Sequence, residues 1–341
     1  MNTHAATAPD GAGRASLRTS PRATVVVPCF NGEEFVASAV ERLLRQTAPA
    51  RIVVVDDGSS DGSADVARAL ADVHDSVEAI VLPRNGGVAA AREAAVAAAS
   101  GEFVWFIDID DEWPDDALER MIGAADRYDA DVVCAAAAVV APGRATRMLQ
   151  SSASPRVLAA RSALAELLTG ELTGHLWNKL FRRKLVARVP FTRIAQHSDQ
   201  AIVAQALAEA TRVAVVPGTV YTYRLREGSI IRSNPRRAEA LRVLGDVVGD
   251  AAERVGLRGG VEHRYYEARY LHLSGFKDAT SGAYPAADAR ALLADVRSRM
   301  SPAHVRSLLR KGDARRAALY TAGWAWPALL RRLLDRPGAR L

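Results

Sequence analysis

The chain has 341 residues, 49% hydrophobic, 25% charged and 6% aromatic, which excludes a disordered, collagen-like or disulfide-stapled protein and leaves room for two domains. Its net charge of +6 is a property of the tail, since residues 301–341 hold nine Lys or Arg against two Asp, and this pattern favours an anionic lipid surface over nucleic acid as a partner. Cys29 and Cys134 lie far apart in apolar runs, as buried thiols of a reducing compartment do, and no apolar run approaches the roughly 20 residues that span a bilayer, so the sequence predicts a cytoplasmic protein.

Residues 1–22 carry Arg14, Arg18 and Arg22 among small and polar residues, without the apolar core of a signal peptide, and read as a disordered arm. Residues 24–27, 52–55, 79–82 and 103–107 are continuous apolar runs, expected of strands covered on both faces. Between them Val36, Val40, Leu43 and Leu44, then Val66 and Leu70, then the alanine-rich 88–99, follow helical spacing. Pro114 with Asp115 and Asp116 opens a further helix carrying Leu118, Met121 and Ile122. This alternation predicts an α/β fold with a mostly parallel sheet and helices on both faces. Residues 157–168 and 177–186 read as helices and 213–216 as a short strand, making 141–231 a second half of the same domain. Helical patterns at 238–255, 261–276 and 286–300 predict a helical C-terminal region, 232–341.

Parallel sheets bind ligands at the carboxyl ends of their strands. Here those ends carry Pro28-Cys29-Phe30-Asn31-Gly32, then Asp56-Asp57-Gly58-Ser59-Ser60-Asp61, then Asp108-Ile109-Asp110-Asp111-Glu112. Six of the nine residues 108–116 are acidic. Asp108 and Asp110, two apart, point the same way in extended backbone and suit one hard cation, Mg2+ or Mn2+, which leaves positions for phosphate oxygens. Glu112, Asp115 and Asp116 read better as a solvated loop before the helix. Asp56 and Asp57 offer acceptors to the N–H of a base or the hydroxyls of a ribose, with Asp61 as a helix cap explaining part of the same turn. The absence of a G-x-G-x-x-G after the first strand argues against a nicotinamide site.

The four segments 25–32, 55–61, Asn85-Gly86-Gly87 with Arg92, and 106–111 have the order and spacing of glycosyltransferase family 2, which the chain resembles strongly over 23–140 and more loosely to about 231. The resemblance implies a GT-A fold, a nucleotide-diphosphate-sugar donor (a UDP-sugar first), a metal held by Asp110 and Asp108, and inversion at the anomeric carbon. It puts Pro28 and Phe30 in the donor site, with Phe30 near the base and Asp57 accepting from it. Asn85 and Arg92 line the nucleotide and Asp108 faces the ribose. Glu93 departs from the family's usual Asn. In His197-Ser198-Asp199-Gln200, Asp199 is the candidate general base or a helix cap, and Ser198 replaces the family's Glu. Trp177 is a candidate for stacking on a glycan or lipid-linked acceptor, or a core residue. Arg224 and Arg226 are candidates for the diphosphate, or plain surface arginines. The tail's Trp324, Trp326, Leu329, Leu330, Leu333 and Leu334, flanked by arginines, read either as an interfacial helix on the inner face of the cell membrane or as packing on the body. The expected activity is glycosyl transfer for cell-surface glycan synthesis. A sugar-phosphate nucleotidyltransferase lacks support because Asn31-Gly32-Glu33-Glu34 is no basic Gly-rich loop, and a non-catalytic nucleotide-sugar binder or scaffold is the remaining rival.

Overall fold

The apolar runs of the first half become strands β1 (Ala23–Cys29), β2 (Ala50–Asp56), β3 (Val77–Val81) and β4 (Phe103–Phe106), paired in parallel in the order β3-β2-β1-β4. The structure, a computed structural model, describes residues 20–150, 152–225 and 236–325. Helices α1 (Glu33–Leu44), α2 (Ser63–Val73), α3 (Val88–Ala98) and α4 (Ala117–Tyr128) connect or follow these strands. Successive strand side chains point to opposite faces. Val26, Val53 and Val104 therefore enter one core with α3, while Val25, Val27, Val54 and Trp105 enter the other with α1 and α4. Both faces are covered, and that is why the strands contain so little polar sequence.

The second half adds β5 (Val132–Val140), β6 (Arg147–Leu149), β7 (Arg156–Leu158), β8 (Lys179–Arg182) and β9 (Val213–Arg224), giving the order β3-β2-β1-β4-β8-β5-β9-β7 with β6 beside β5. The helix expected over residues 177–186 is thus mostly strand. Leu180 faces Trp105 of β4 on one side and Val133 of β5 on the other, and the unpaired backbone of those two strands requires a filler that only extended chain supplies. Only Arg183–Val186 (α6) is helical there. The helix expected at 157–168 likewise yields its start to β7, and α5 runs Ala160–Thr169. The short strand expected at 213–216 continues to Arg224, shifting register against β5 around Pro217 and Gly218. Because β8 is antiparallel to both neighbours, β5 and β9 run in the sense of β4 and finish at the same edge.

Helix α7 (Ser198–Glu209) packs under the sheet with α8 (Ala238–Arg254), whose Leu244, Val248 and Ala252 belong to the sheet's own core. Beyond it, α9 (Val261–Tyr266), a π-helical turn Glu267–His272, α10 (Leu273–Ala279), α11 (Ala286–Arg299), α12 (Pro302–Arg310) and α13 (Ala314–Ala325) enclose a separate cluster around Tyr265, Phe276, Leu308 and Tyr320. The expected continuous helix 261–276 is therefore interrupted by a π turn. Arg22, read with the N-terminal arm, is ion-paired to Glu102 and Asp126 and belongs to the body. Cys29 and Cys134 are buried free thiols. No helix among the described residues is long and apolar enough to cross a membrane, and residues 326–341, with most of the amphipathic tail, lie outside them.

Candidate active site

The ends of β1 and β2 are strapped together by side chains that satisfy backbone donors. Asn31 Oδ1 accepts from Ser60 N at 2.8 Å, Ser59 Oγ accepts from Asn31 N at 2.9 Å, and Ser63 Oγ accepts from Gly32 N at 2.9 Å. Asp61 bonds the amides of both Ser63 and Glu33, so it serves the starts of two helices. Asp57 is 3% exposed, with Oδ1 accepting from Gly86 N at 2.8 Å, and Asn85 closes its own turn onto Gly87 N at 3.0 Å. Gly58 has φ +69°, and a Cβ there would lie 2.6 Å from the Arg84 carbonyl carbon, so this close approach of two loops requires glycine. Pro28 is half-buried and Phe30 is 49% exposed at the mouth of the crevice these loops form.

At the end of β4 the polar groups are charged. The strand stops at Phe106 and the chain turns through Ile109 and Asp110, with Asp111 N bonded to Asp108 O at 3.3 Å, so Asp108 and Asp110 do not share a strand face as expected. Their carboxylates are nonetheless close enough for Asp110 to raise Asp108. The buried Tyr221 hydroxyl fixes this turn, accepting from Asp108 N at 3.0 Å and donating to Asp111 Oδ2 at 2.9 Å. Asp111 also accepts from Arg224 N at 2.9 Å, and Glu112 pairs backbone with Thr222. Burial, then Asp108, push Asp111 up to about 8, and burial against the opposing pull of Arg92 leaves Asp108 at about 6.

Arg92 joins this cluster to Asp199. Its side chain is 4% exposed, with Nη1 donating to Asp199 Oδ1 at 2.5 Å and Nη2 to Asp108 Oδ1 at 3.4 Å. It thus bridges two carboxylates from inside the fold. Asp199 lies in the first turn of α7 but caps nothing, and its Oδ2 is 3.5 Å from Leu176 N. Burial alone would raise the Asp199 carboxyl, yet Arg92, then His175 and these hydrogen bonds, hold it below the ordinary carboxylate range. Ser198, in the place of the family's Glu, is buried. Glu93, the other departure, pairs with Arg193 across the rim.

Of the two readings of Trp177, the structure selects the core one. Its ring is 3% exposed and stacks on His175 at 4.6 Å and Tyr221 at 4.6 Å, so it offers no face to an acceptor. The half-buried His175 is the outer ring of that stack, and burial pushes it down to about 4. Lys179, fully buried, holds the turn beneath it by donating to His175 O at 2.7 Å and Asn178 Oδ1 at 2.9 Å. Arg224 sends its guanidinium to Glu112 at 2.7 Å, and Arg226 lies outside the described residues. Reading residues one by one missed Asp111, Tyr221 and His175. Asp111 lies inside the 106–111 segment, but its role depends on Tyr221, 110 residues further along the chain.

A divalent cation suits this donor set. Asp108 and Asp199 flank the Arg92 guanidinium, Asp110 is close enough to Asp108 to raise it, and burial leaves the Asp108 oxygens poorly solvated, which a cation would offset. Among the described residues no three His, Cys, Asp or Glu side chains gather to hold a metal by themselves, so the remaining oxygens would come from ligand and water, as Mg2+ and Mn2+ sites on phosphates commonly arrange.

Residues 24–189 match the family model for glycosyl transferase family 2. The succinoglycan biosynthesis protein ExoO of Rhizobium meliloti (strain 1021) is 33% identical over 223 residues, covering 62% of this chain and 63% of ExoO, and EpsH of Bacillus subtilis (strain 168) is 29% identical over 219 residues with the same coverage. The chain spans under two thirds of the length of these curated relatives. In structure, S. aureus TarS 1–349 in complex with UDP-GlcNAc aligns with a TM-score of 0.70 at 19% identity, over 92% of this chain and 90% of TarS 1–349, a likeness of fold. The matched motifs, the strand order and that fold agree: residues 24–189 form a glycosyltransferase family 2 domain, and the chain has the GT-A fold.

Proposed function

We propose that the protein transfers a sugar, with inversion, from a nucleotide-diphosphate donor to an acceptor hydroxyl in the synthesis of a surface polysaccharide, with a UDP-sugar as the first donor to test. The observation that carries this is the Arg92 bridge between Asp108, at the donor edge, and Asp199, an ionised carboxylate with one oxygen turned from the guanidinium. TarS was solved with UDP-GlcNAc and ExoO is named for succinoglycan biosynthesis, which supports both the donor class and the product class.

In this reading Asp57 accepts from the base, Phe30 covers it, and Asp108 and Asp110 would hold Mg2+ or Mn2+. When bound, that cation neutralises the charge developing on the departing diphosphate. The acceptor oxygen attacks the anomeric carbon as the bond from that carbon to the phosphate oxygen breaks. The nucleoside diphosphate leaves with the electron pair, and Asp199 takes the hydroxyl proton. Arg92 keeps Asp199 ionised and aimed, and Tyr221 keeps the Asp108 turn from moving as charge shifts. The glycan or lipid-linked acceptor enters past His175, since Trp177 is closed off.

The test is a screen of UDP-glucose, UDP-galactose, UDP-GlcNAc and GDP-mannose for Mn2+-dependent release of nucleotide. One donor should be turned over, and Asp199→Asn should keep its affinity while lowering release at least about tenfold. Full activity of Asp199→Asn removes the base; tight binding of a donor without any turnover, even with acceptor extracts, would favour a binding protein instead.

A further inference from the structure

The start of α7 carries no side-chain cap. His197, immediately before it, has φ 67° and ψ 13°, a left-handed conformation. Its ring is instead engaged by the C-terminal helices. Tyr270 Oη lies 3.1 Å from His197 Nδ1, and the two rings meet edge to face at 5.6 Å. Tyr270 comes from the π-helical turn and stacks on Tyr266 at 5.3 Å, and Tyr266 belongs to the sheet's core.

The same turn is pinned on both sides. Arg269, next to Tyr270, donates to Thr169 O at 2.8 Å and fills the space over Gly170 at the end of α5. Glu267 lies 3.4 Å from His263 Nδ1 and 3.3 Å from His304 Nε2, which ties the turn to α9 and α12. A π turn is rarer and less well bonded than α-helix and recurs at functional positions. Here it directs Arg269 to α5 and Tyr270 to α7. The second residue of α7 is Asp199.

We propose that Tyr270 and His197 are positioning residues for Asp199. The π-helical turn of the C-terminal region grips the residue that enters α7 and so sets where the Asp199 carboxylate stands relative to Arg92. The inference rests on Asp199 being the base. An error of about 1 Å in a reacting group costs on the order of a hundredfold in rate, so a contact that fixes the entry to α7 acts on turnover and leaves donor affinity alone. The C-terminal helices then have a task in the chemistry.

Tyr270→Phe keeps the stack on Tyr266 and removes only the hydroxyl. His197→Gly keeps the left-handed backbone without the ring, and His197→Asn keeps both that backbone and a polar side chain. With full-length protein, Mn2+ and UDP-glucose or UDP-GlcNAc, Tyr270→Phe should lower kcat for UDP release by about five- to twentyfold at unchanged donor KM, and His197→Gly by more, with His197→Asn recovering part. Hydrogen exchange, which needs no turnover, should speed up at residues 199–203 in Tyr270→Phe. Wild-type exchange there, or a lower melting temperature at wild-type kcat, overturns the positioning role. Asp199→Asn separates the two levels: wild-type release in that variant overturns the base and this inference together, whereas an inactive Asp199→Asn beside a fully active Tyr270→Phe overturns this inference alone.

Discussion

The ends of β2 and β4 carry the same side chain and use it in opposite ways. At β2, Asp56 and Asp57 accept from backbone amides, Ser59 N at 3.1 Å and Gly86 N at 2.8 Å, so the carboxylates serve as turn-builders. At β4, Asp108 and Asp111 are held largely by side chains from distant segments, Arg92 and Tyr221, and both are pushed up by burial, with Asp199 and Asp110 adding to the rise at Asp108 and Asp108 to that at Asp111. The first end is a shaped, hydrogen-bonded surface suited to recognising a neutral base and ribose. The second gathers buried carboxyl groups, and in the proposed reading a dication and a diphosphate meet it there. Identical residues thus acquire different chemistry from what donates to them.

The contrast breaks most severely at Arg92. Arg92→Leu leaves Asp108 and Asp199 without their shared cation and should cost about 3 kcal/mol in urea unfolding, with turnover nearly lost; a loss below about 0.5 kcal/mol would show that the carboxylates do not depend on it. Asp110→Ala should weaken Mn2+-dependent UDP binding by at least about tenfold in calorimetry and leave binding in EDTA unchanged, and equal affinity in Mn2+ would undo the metal assignment. Tyr221→Phe strips the Asp108 amide and Asp111 of a buried partner, for an expected cost of about 1–2 kcal/mol. At the other end, Asp57→Asn still accepts from Gly86 N, so stability should stay within about 0.5 kcal/mol while donor affinity falls severalfold, and a large loss of stability there would erase the distinction between the two ends.

A smaller effect tests the rim. The folded state keeps His175 neutral down to about 4, against an ordinary value of 6.5, because burial disfavours its cation. Between those values the unfolded chain binds more protons, so the His175 contribution is present above pH 6.5 and lost as pH falls toward 4. His175→Gln removes that term, and the stability difference between wild type and variant should shrink or reverse across the window; a difference independent of pH would place the ring in water.

Much of the donor side was readable in one dimension because its interactions are local in pattern. The apolar runs of β1 to β4 announce strands buried on both faces, and residues 56–61 and 108–111 follow them directly, so the position of the site is a consequence of chain order. The C-terminal region was legible as helices but not in what they do, since Tyr270 meets His197 across 73 residues. The 177–186 segment was misread for a related reason: its helical spacing is real, yet the vacant hydrogen bonds of β4 and β5 outweigh an intrinsic preference worth tenths of a kcal/mol per residue.

What the amino-acid order determined by itself is the parallel half of the sheet, the edge where ligands meet it, and the residue types gathered there. Tertiary structure alone decided which carboxylate does what. Folding closed Trp177 inside an aromatic stack, buried Asp111 under Tyr221, and drew Arg92 between Asp108 and Asp199. The reason is physical: whether a carboxyl group binds a cation, takes a proton or merely ends a turn depends on its solvation and its partners, and those are brought to it by segments remote in the chain.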